Sequence, residues 1–154
     1  MMSDVEMWQL VARESIRDLV LRYNSTGDSG RFAETLALFA PHAVMERPDG
    51  LFEGLDAIEG QFHGAATDLS HLAGPDGRMY LRHFTSTHQI DLLDETHARG
   101  RCYYQVLLPK GLDHWGRYID EYGVHEGRWV FTRRNVTIDG HFPGGMAAQF
   151  FGEL

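Results

Sequence analysis

Acidic, imidazole and phenol side chains occur at three places in this sequence where acid–base chemistry is conceivable. Tyr23 and Asp28 lie in "RYNSTGDSGRF", where a helical pattern ends. His83 lies in "YLRHFTSTHQ", and Tyr118 and Asp120 lie in "GRYIDEYGV". A carboxylate next to an imidazole fixes the ring tautomer and raises the basicity of its other nitrogen, as a general base requires. These residues indicate proton transfer if the fold brings them together.

Asp28 also has a purely structural interpretation. Ser29, Gly30 and a new apolar period follow it, so its carboxylate is placed to cap the next helix by accepting hydrogen bonds from the first amides. Tyr23 fits the last apolar position of the preceding helix. On this segment alone the capping interpretation is favoured.

The two strand-like segments each gather polar side chains on one face, because alternate residues of a strand point the same way. These rows are His83, Thr85, Thr87 and Gln89 in the first segment, and Tyr118, Asp120 and Tyr122 in the second. Such rows can face water. They can also face a pocket, since the opposite faces hold Arg82, Arg117 and Glu121, which are costly to bury unpaired. Asp120 is alternatively a cross-strand partner of Arg133 or Arg134.

The helices that would position these residues follow from apolar spacings of three and four. A long helix is predicted over residues 5–23, and a short one runs from Phe32 through Phe39 and stops at Pro41. Residues 43–54 read as strand, turn and strand, and residues 55–66 resume a helical spacing. Residues 67–79 have no period and predict a loop.

Beyond that loop the period changes to two, which predicts a sheet. The strand-like runs are residues 80–94, 96–108, 116–124 and 128–139. Helices followed by an antiparallel meander predict an α+β fold, with N-terminal helices packed on one face of a strongly curved sheet. The sheet encloses a cone, and its open end is the expected pocket.

Composition limits the partners. A chain of 154 residues fits one domain, 1–154, with 140–154 as a C-terminal tail. A net charge of −8 argues against nucleic acid, and no apolar run is long enough to span a membrane. The lone Cys102 forms no internal disulfide and suits a small core residue, so a cytoplasmic location is expected. The nine histidines lack metal-ligand spacing, so no metal or other cofactor is expected.

Several pieces in order carry a family resemblance: a helix ending in Tyr-x4-Asp, "LALFAPHAV", "FEGLDAIEGQF", "LRHFTSTHQI" and "GRYIDEYGVHEGRWVFTRR". From about residue 16 to about residue 134, the chain resembles the SnoaL-like branch of the nuclear transport factor 2 superfamily. It looks most like the group of scytalone dehydratase, hexachlorocyclohexane dehydrochlorinase and bile-acid 7α-dehydratase. The resemblance implies a cone-shaped, cystatin-like fold.

The same resemblance implies site residues. Asp28 and His83 match the Asp–His dyad of these enzymes, and Tyr23 matches the active-site tyrosine of the bile-acid enzyme. Tyr118 and Asp120 stand where scytalone dehydratase has Ser and Asn. Its second catalytic histidine has no counterpart in "YYQVLLPKG", and residues 139–149 resemble the tail of the dehydrochlorinase.

The favoured function is a cofactor-free lyase or isomerase that acts on a small hydrophobic cyclic or aromatic substrate. His83, oriented by Asp28, would take a proton, and Tyr23 or Tyr118 would donate to an oxygen. The expected pocket residues are Tyr118, Asp120, Met45, Phe52, Phe62, Met79, Phe84 and Trp115. His88, His97, His114, His125 and His141 are interpreted as surface or turn residues, of which the tail could bring His141 to the pocket.

A non-catalytic binding or association module is the alternative, such as a small subunit of a ring-hydroxylating dioxygenase, since the same cone serves that role. An epoxide hydrolase is a weaker option, because its Asp-Arg-Asp set is not evident. On either view the outer sheet face must be covered, so a homodimer or homotrimer is expected.

Overall fold

The computed structural model describes residues 4–152. The helices are α1 (Met7–Asp28), α2 (Phe32–Leu36), α3 (Leu55–Asp68) and α4 (Met146–Phe151), with a 3₁₀ turn at Ser70–Leu72. The strands are β1 (Phe39–Arg47), β2 (Gly50–Glu53), β3 (Arg82–Leu92), β4 (His97–Leu108), β5 (Gly111–His125) and β6 (Arg128–His141). Among residues 4–152, every helix is either too short or too polar to span a lipid bilayer.

The strands form one curved sheet in the order β2-β1-β6-β5-β4-β3. Neighbouring strands are antiparallel, as predicted, except that β1 runs parallel to β6. α1 buries a stripe at helical spacing, Ala12, Ile16, Leu19 and Val20. The last three lie in the same core as inner-face side chains such as Tyr118 and Phe131. The predicted α+β class and cystatin-like cone are therefore confirmed.

Two predicted boundaries in the first half were wrong. Phe39 and Pro41 belong to β1 and not to a helix. The register of β1 against β6 shifts between Phe39 and Val44, and an irregular stretch of this kind tolerates a proline that cannot donate to the ladder. The predicted loop over 67–79 begins with the last turn of α3 and the 3₁₀ turn.

A β-bulge corrects the predicted face of β3. The pairing of β3 with β4 shifts between Ser86 and Gln89, and Thr87 has a positive φ of 53°. Because a bulge inserts one residue, the alternation is reversed beyond it. Thr87 and Gln89 are therefore exposed, and Ile90 faces the core in their place.

A second irregularity affects the start of β5, which begins five residues earlier than predicted. His114 pairs with Val106, but Leu112 pairs with Leu107, so Asp113 is the inserted residue. Asp113 and His114 are adjacent, yet both are buried. The bulge thus directs two consecutive polar side chains away from solvent at one end of the sheet.

Candidate active site

Asp28 is the last residue of α1, and the end of this helix explains its position. The amide of Gly30 donates to the carbonyl of Gly27 at 3.1 Å, and the amide of Arg31 donates to the carbonyl of Thr26 at 2.9 Å. These two bonds, with Gly30 at a φ of +69°, form a Schellman motif. The motif turns the chain sharply away, so the Asp28 side chain remains at the exit of the helix.

Asp28 does not cap the next helix. The N-cap of α2 is Arg31, and both Asp28 oxygens are bonded to His83, 55 residues further along the chain. Oδ1 lies 2.6 Å from His83 Nδ1, and Oδ2 accepts the His83 backbone amide at 2.9 Å. The capping interpretation was therefore wrong, and the carboxylate joins the end of α1 to the start of β3.

His83 lies on the inner face of β3 with 23% of its side chain exposed, and Asp28 is 10% exposed. The contact with a carboxylate assigns the ring proton to Nδ1, which leaves a lone pair on Nε2. Within residues 4–152, Nε2 has no hydrogen-bond partner in the protein. The His83 imidazole is thus shielded from bulk solvent, while its Nε2 lone pair stays accessible from the protein interior, as a general base requires.

This interior is a cavity of about 210 Å³ between the helices and the sheet, and Asp28 and His83 form part of its wall. The other lining residues come from every helix α1–α4, from β4, β5 and β6, from the loop before β3, and from Arg47 and Pro48 at the end of β1, and most of them are apolar. They include Phe32, Phe62, Leu81, Val136, Ile138 and Met146. A compact hydrophobic ligand matches such a lining.

Tyr23 and Tyr118 also line the cavity, and their rings are 5.9 Å apart in an edge-to-face arrangement. Burial raises the pKa of both phenols above the ordinary value of 10.0, so both carry their protons at neutral pH. The Tyr118 hydroxyl already donates to Asn24 Oδ1 at 3.0 Å. Tyr23 is therefore the better placed of the two to donate to a ligand.

Five residues expected at the pocket lie elsewhere. Phe84 and Trp115 are 51% and 41% exposed, because each directly follows a residue that points into the cavity, His83 or His114. Met45 is fully buried in the core, and Phe52 packs beneath the Arg47 guanidinium at 5.4 Å. Phe62 and Met79 line the cavity as expected.

Asp120 is the fifth residue that was expected at the pocket and lies elsewhere, since it is a buried partner of Arg134. Its carboxylate accepts two hydrogen bonds from the guanidinium, at 2.9 and 2.6 Å, and a third from the Tyr122 hydroxyl at 3.0 Å. Burial opposes the charge of Arg134, but the carboxylate more than compensates, and the pKa of Arg134 is raised. The cross-strand pairing considered for Asp120 is the one observed.

His114 is a cavity residue that sequence reasoning missed. It is 7% exposed and lines the cavity, although the sequence groups it with the surface or turn residues. The predicted strand began at Gly116, which placed His114 outside it. Had the alternation of Tyr118, Asp120 and Tyr122 been continued backwards, Gly116 and His114 would have fallen on the same inner face.

Gln61 is the other missed residue. This α3 side chain lines the cavity and is 9% exposed, and its Oε1 is buried with no hydrogen-bond partner within the described range. A buried amide oxygen without a donor is costly, so it is available to a ligand hydroxyl or amine. Between residues 4 and 152, no group of three histidine, cysteine or acidic side chains is arranged to hold a metal ion.

Comparison with protein families gives a match to the SnoaL-like domain over residues 8–135. The chain belongs to the SnoaL-like domain family. A comparison with curated protein sequences gave no significant match.

Solved structures share the SnoaL-like fold at low identity. LinA is 16% identical with a TM-score of 0.75, over 90% of this chain and 94% of its own. The hexachlorocyclohexane dehydrochlorinase LinA-type3 of Novosphingobium barchaimii is 15% identical with a TM-score of 0.74, over 90% and 93%. A candidate scytalone dehydratase of Novosphingobium aromaticivorans is 22% identical with a TM-score of 0.73, over 88% and 89%. At these identities the similarity establishes the fold alone.

Proposed function

We propose that this SnoaL-like protein is a cofactor-free lyase or isomerase that acts on a small hydrophobic cyclic substrate. The observation that carries the proposal is the Asp28–His83 contact in the wall of an apolar cavity. An association module needs no such contact, whereas a general base needs an oriented imidazole with an accessible lone pair. The similarity to a dehydrochlorinase and to a candidate dehydratase agrees with this chemistry.

In the proposed reaction, His83 Nε2 takes a proton from a carbon next to a carbonyl group. The electron pair of the broken C–H bond enters the developing enolate, and the Tyr23 hydroxyl donates a hydrogen bond to its oxygen. Asp28 stabilises the imidazolium that forms, as does the negative end of the α1 dipole.

The enolate then follows one of two routes. In an elimination, the bond to a leaving group on the next carbon breaks with its electron pair, and the imidazolium returns its proton to that group. In an isomerisation, the proton returns to a different carbon of the conjugated system. Both routes restore neutral His83 and need no redox partner.

Deuterium exchange of 2-tetralone in D2O tests the first step, because this cyclic ketone has acidic hydrogens next to its carbonyl and needs no leaving group. Proton NMR should show exchange above the buffer rate with the wild-type protein and a loss of at least 100-fold in His83→Gln. His97→Gln is the matched control, since His97 contacts Asp94 at 3.1 Å on the surface. Equal exchange by wild type and His83→Gln would contradict the proposal.

We also propose that the protein is cytoplasmic and forms a homodimer or homotrimer. The outer face of the sheet supports self-association, because Phe84, Tyr103, Trp115 and Ile119 are each at least 41% exposed there. Light scattering on the purified protein tests this, and a monomer at micromolar concentration would contradict it.

A further inference from the structure

A second Asp–His pair adjoins the same cavity, and its histidine, His114, forms part of the wall. Asp113 Oδ2 is 2.8 Å from His114 Nδ1, and the two side chains are 5% and 8% exposed. The carboxylate also accepts the amides of Met146 at 2.6 Å and Ala147 at 3.1 Å, at the start of α4. Asp113 thus orients His114 and fastens a segment that supplies Met146, Phe150 and Phe151 to the cavity wall.

The hydrogen bonds of Asp113 determine what His114 offers. An ionised carboxylate accepts hydrogen bonds and cannot donate one, so the ring proton of His114 is assigned to Nδ1, and Nε2 holds a lone pair. Burial lowers the pKa of His114 below its ordinary value of 6.5, so the ring is neutral at pH 7. Within residues 4–152, Nε2 has no hydrogen-bond partner in the protein. His114 is therefore an unused hydrogen-bond acceptor.

His114 faces the cavity at a distance from His83 that suits a cyclic ligand. Val106 pairs with His83 on one side and with His114 on the other, so the two histidines are two strand spacings apart, about 10 Å between Cα atoms. The Tyr104 ring lies between them, with centroids 6.1 Å from His83 and 5.9 Å from His114. A flat ring system resting near Tyr104 can reach both imidazoles.

We propose that His114 is a second anchoring point of the cavity, where Nε2 accepts a hydrogen bond from a hydroxyl group of the substrate. This rests on the proposed function and narrows its substrate class: the reacting carbon lies at His83, and a hydroxyl lies at the opposite end of the ring system. Asp113 is a positioning residue that holds the acceptor in place.

A pair of ligands that differ in one donor tests this anchor. The dissociation constants of 2,6-dihydroxynaphthalene and 6-methoxy-2-naphthol are measured by calorimetry with the wild type, His114→Phe, His114→Gln and the surface control His97→Phe. The wild type and His97→Phe should prefer the diol by roughly two- to tenfold. His114→Phe should lose this preference, and His114→Gln should retain part of it because the amide keeps an acceptor.

Nitrogen NMR of the wild-type protein tests the anchor without a substitution, so misfolding of a variant cannot affect the result. Binding of the diol should shift the Nε2 resonance of His114 as it accepts a proton donor. A preference that survives in His114→Phe, an unmoved His114 signal, or failure of the diol to bind would each overturn the inference. If any of these occurs while 2-tetralone exchange still depends on His83, only the His114 anchor fails; if that exchange is absent, the proposed function fails as well.

Discussion

Asp28 and Asp120 each pair with a basic side chain in the interior, but the two pairs occupy different surroundings. The Asp28–His83 pair forms part of a cavity wall, and His83 is 23% exposed. The Asp120–Arg134 pair has no exposed side-chain surface. The Arg134 guanidinium lies about equally close to the rings of Tyr23, Tyr118 and Phe131, at 4.2, 4.0 and 4.1 Å.

The difference separates a pair that is able to transfer a proton from a pair that can only hold its charges. Arginine does not release its proton in proteins, so Arg134 can hold a charge but cannot transfer a proton. Histidine can do so, and its free Nε2 faces the cavity. The Arg134 side chain of the buried pair packs against the rings of Tyr23 and Tyr118. The Asp28–His83 pair instead faces the cavity, where it would contact a bound ligand.

Breaking the Asp120–Arg134 pair should have the largest effect on stability. Arg134→Met leaves Asp120 charged and buried without its partner, which should lower the free energy of unfolding by about 3–5 kcal/mol. Urea denaturation measures this. The neighbouring Arg133 pairs with Glu46 at 2.5 Å and is 42% exposed, so Arg133→Met should cost less than about 1 kcal/mol. Similar losses for the two variants would remove the proposed contrast between buried and half-exposed pairs.

Breaking the Asp28–His83 pair should affect rate more than stability. In Asp28→Asn the amide oxygen can still accept the Nδ1 proton, but the NH2 group replaces the oxygen that accepted the His83 backbone amide, and the side chain no longer balances the charge that His83 gains. We expect 2-tetralone exchange to fall by about 10- to 100-fold, with the free energy of unfolding lowered by about 1 kcal/mol. Asp94→Asn, at the surface pair with His97, should leave the exchange rate unchanged, although it weakens the turn in which Asp94 accepts the amides of Thr96 and His97. A large loss of stability without a specific loss of rate would make Asp28 a structural residue like Asp120.

The Asp113–His114 pair should make the stability of the protein depend on pH. Because burial lowers the pKa of His114 in the folded state, the unfolded chain binds this proton first as the pH falls. Its contribution to stability is therefore complete above pH 6.5 and is lost below it, by at most about 1.4 kcal/mol per pH unit until the folded pKa is passed. Burial lowers the pKa of His88 in the same direction, so part of this dependence remains without His114.

Urea titrations of the wild type and His114→Phe between pH 7.5 and pH 5 measure the difference between their slopes. The fall in stability should be shallower in the variant. The His97→Phe control should behave as the wild type does. Identical pH dependence in His114→Phe and the wild type would show that His114 titrates as it does in the unfolded chain.

Replacement of Gln61 should have the smallest effect on the free energy of unfolding, and it should increase this free energy. Its Oε1 is buried without a partner, so Gln61→Met removes an unsatisfied polar atom while keeping a side chain of similar shape. We expect the ligand-free protein to gain up to about 1 kcal/mol in urea denaturation. A destabilisation of the same size would mean that the amide is satisfied in solution.

Much of the architecture was predictable because hydrophobic periods of 3.6 and 2 specify which face of each helix and strand is buried. The α1 stripe and the inner row of Tyr118, Asp120 and Tyr122 follow directly from these periods. The parallel pairing of β1 with β6 did not, because it joins segments far apart in sequence that share no local pattern. Thr87 and Asp113 also escaped prediction, since one inserted residue changes the face of its neighbours without a distinctive composition.

The candidate site was predictable only in part. Residue types and spacing alone predicted that Asp28 caps the next helix. The family resemblance was needed to connect Asp28 with His83. Phe84 and Trp115 were chosen by composition, although the alternation that placed His83 inward already placed Phe84 outward. The charge pair of Asp120 and Arg134 could be suggested from cross-strand positions, but burial of both groups is a tertiary property.

The attachment of α4 makes one part of the cavity wall separate from the elements that hold Asp28 and His83. One carboxylate, Asp113, holds a six-residue helix whose Met146, Phe150 and Phe151 complete the wall, whereas Asp28 and His83 belong to the body of helices and sheet. Replacement of residues 142–152 can therefore reshape the cavity while the Asp28–His83 pair stays in place. Variation in this segment is a route by which related chains could acquire new ligands, and an engineer could exploit it through libraries confined to those positions.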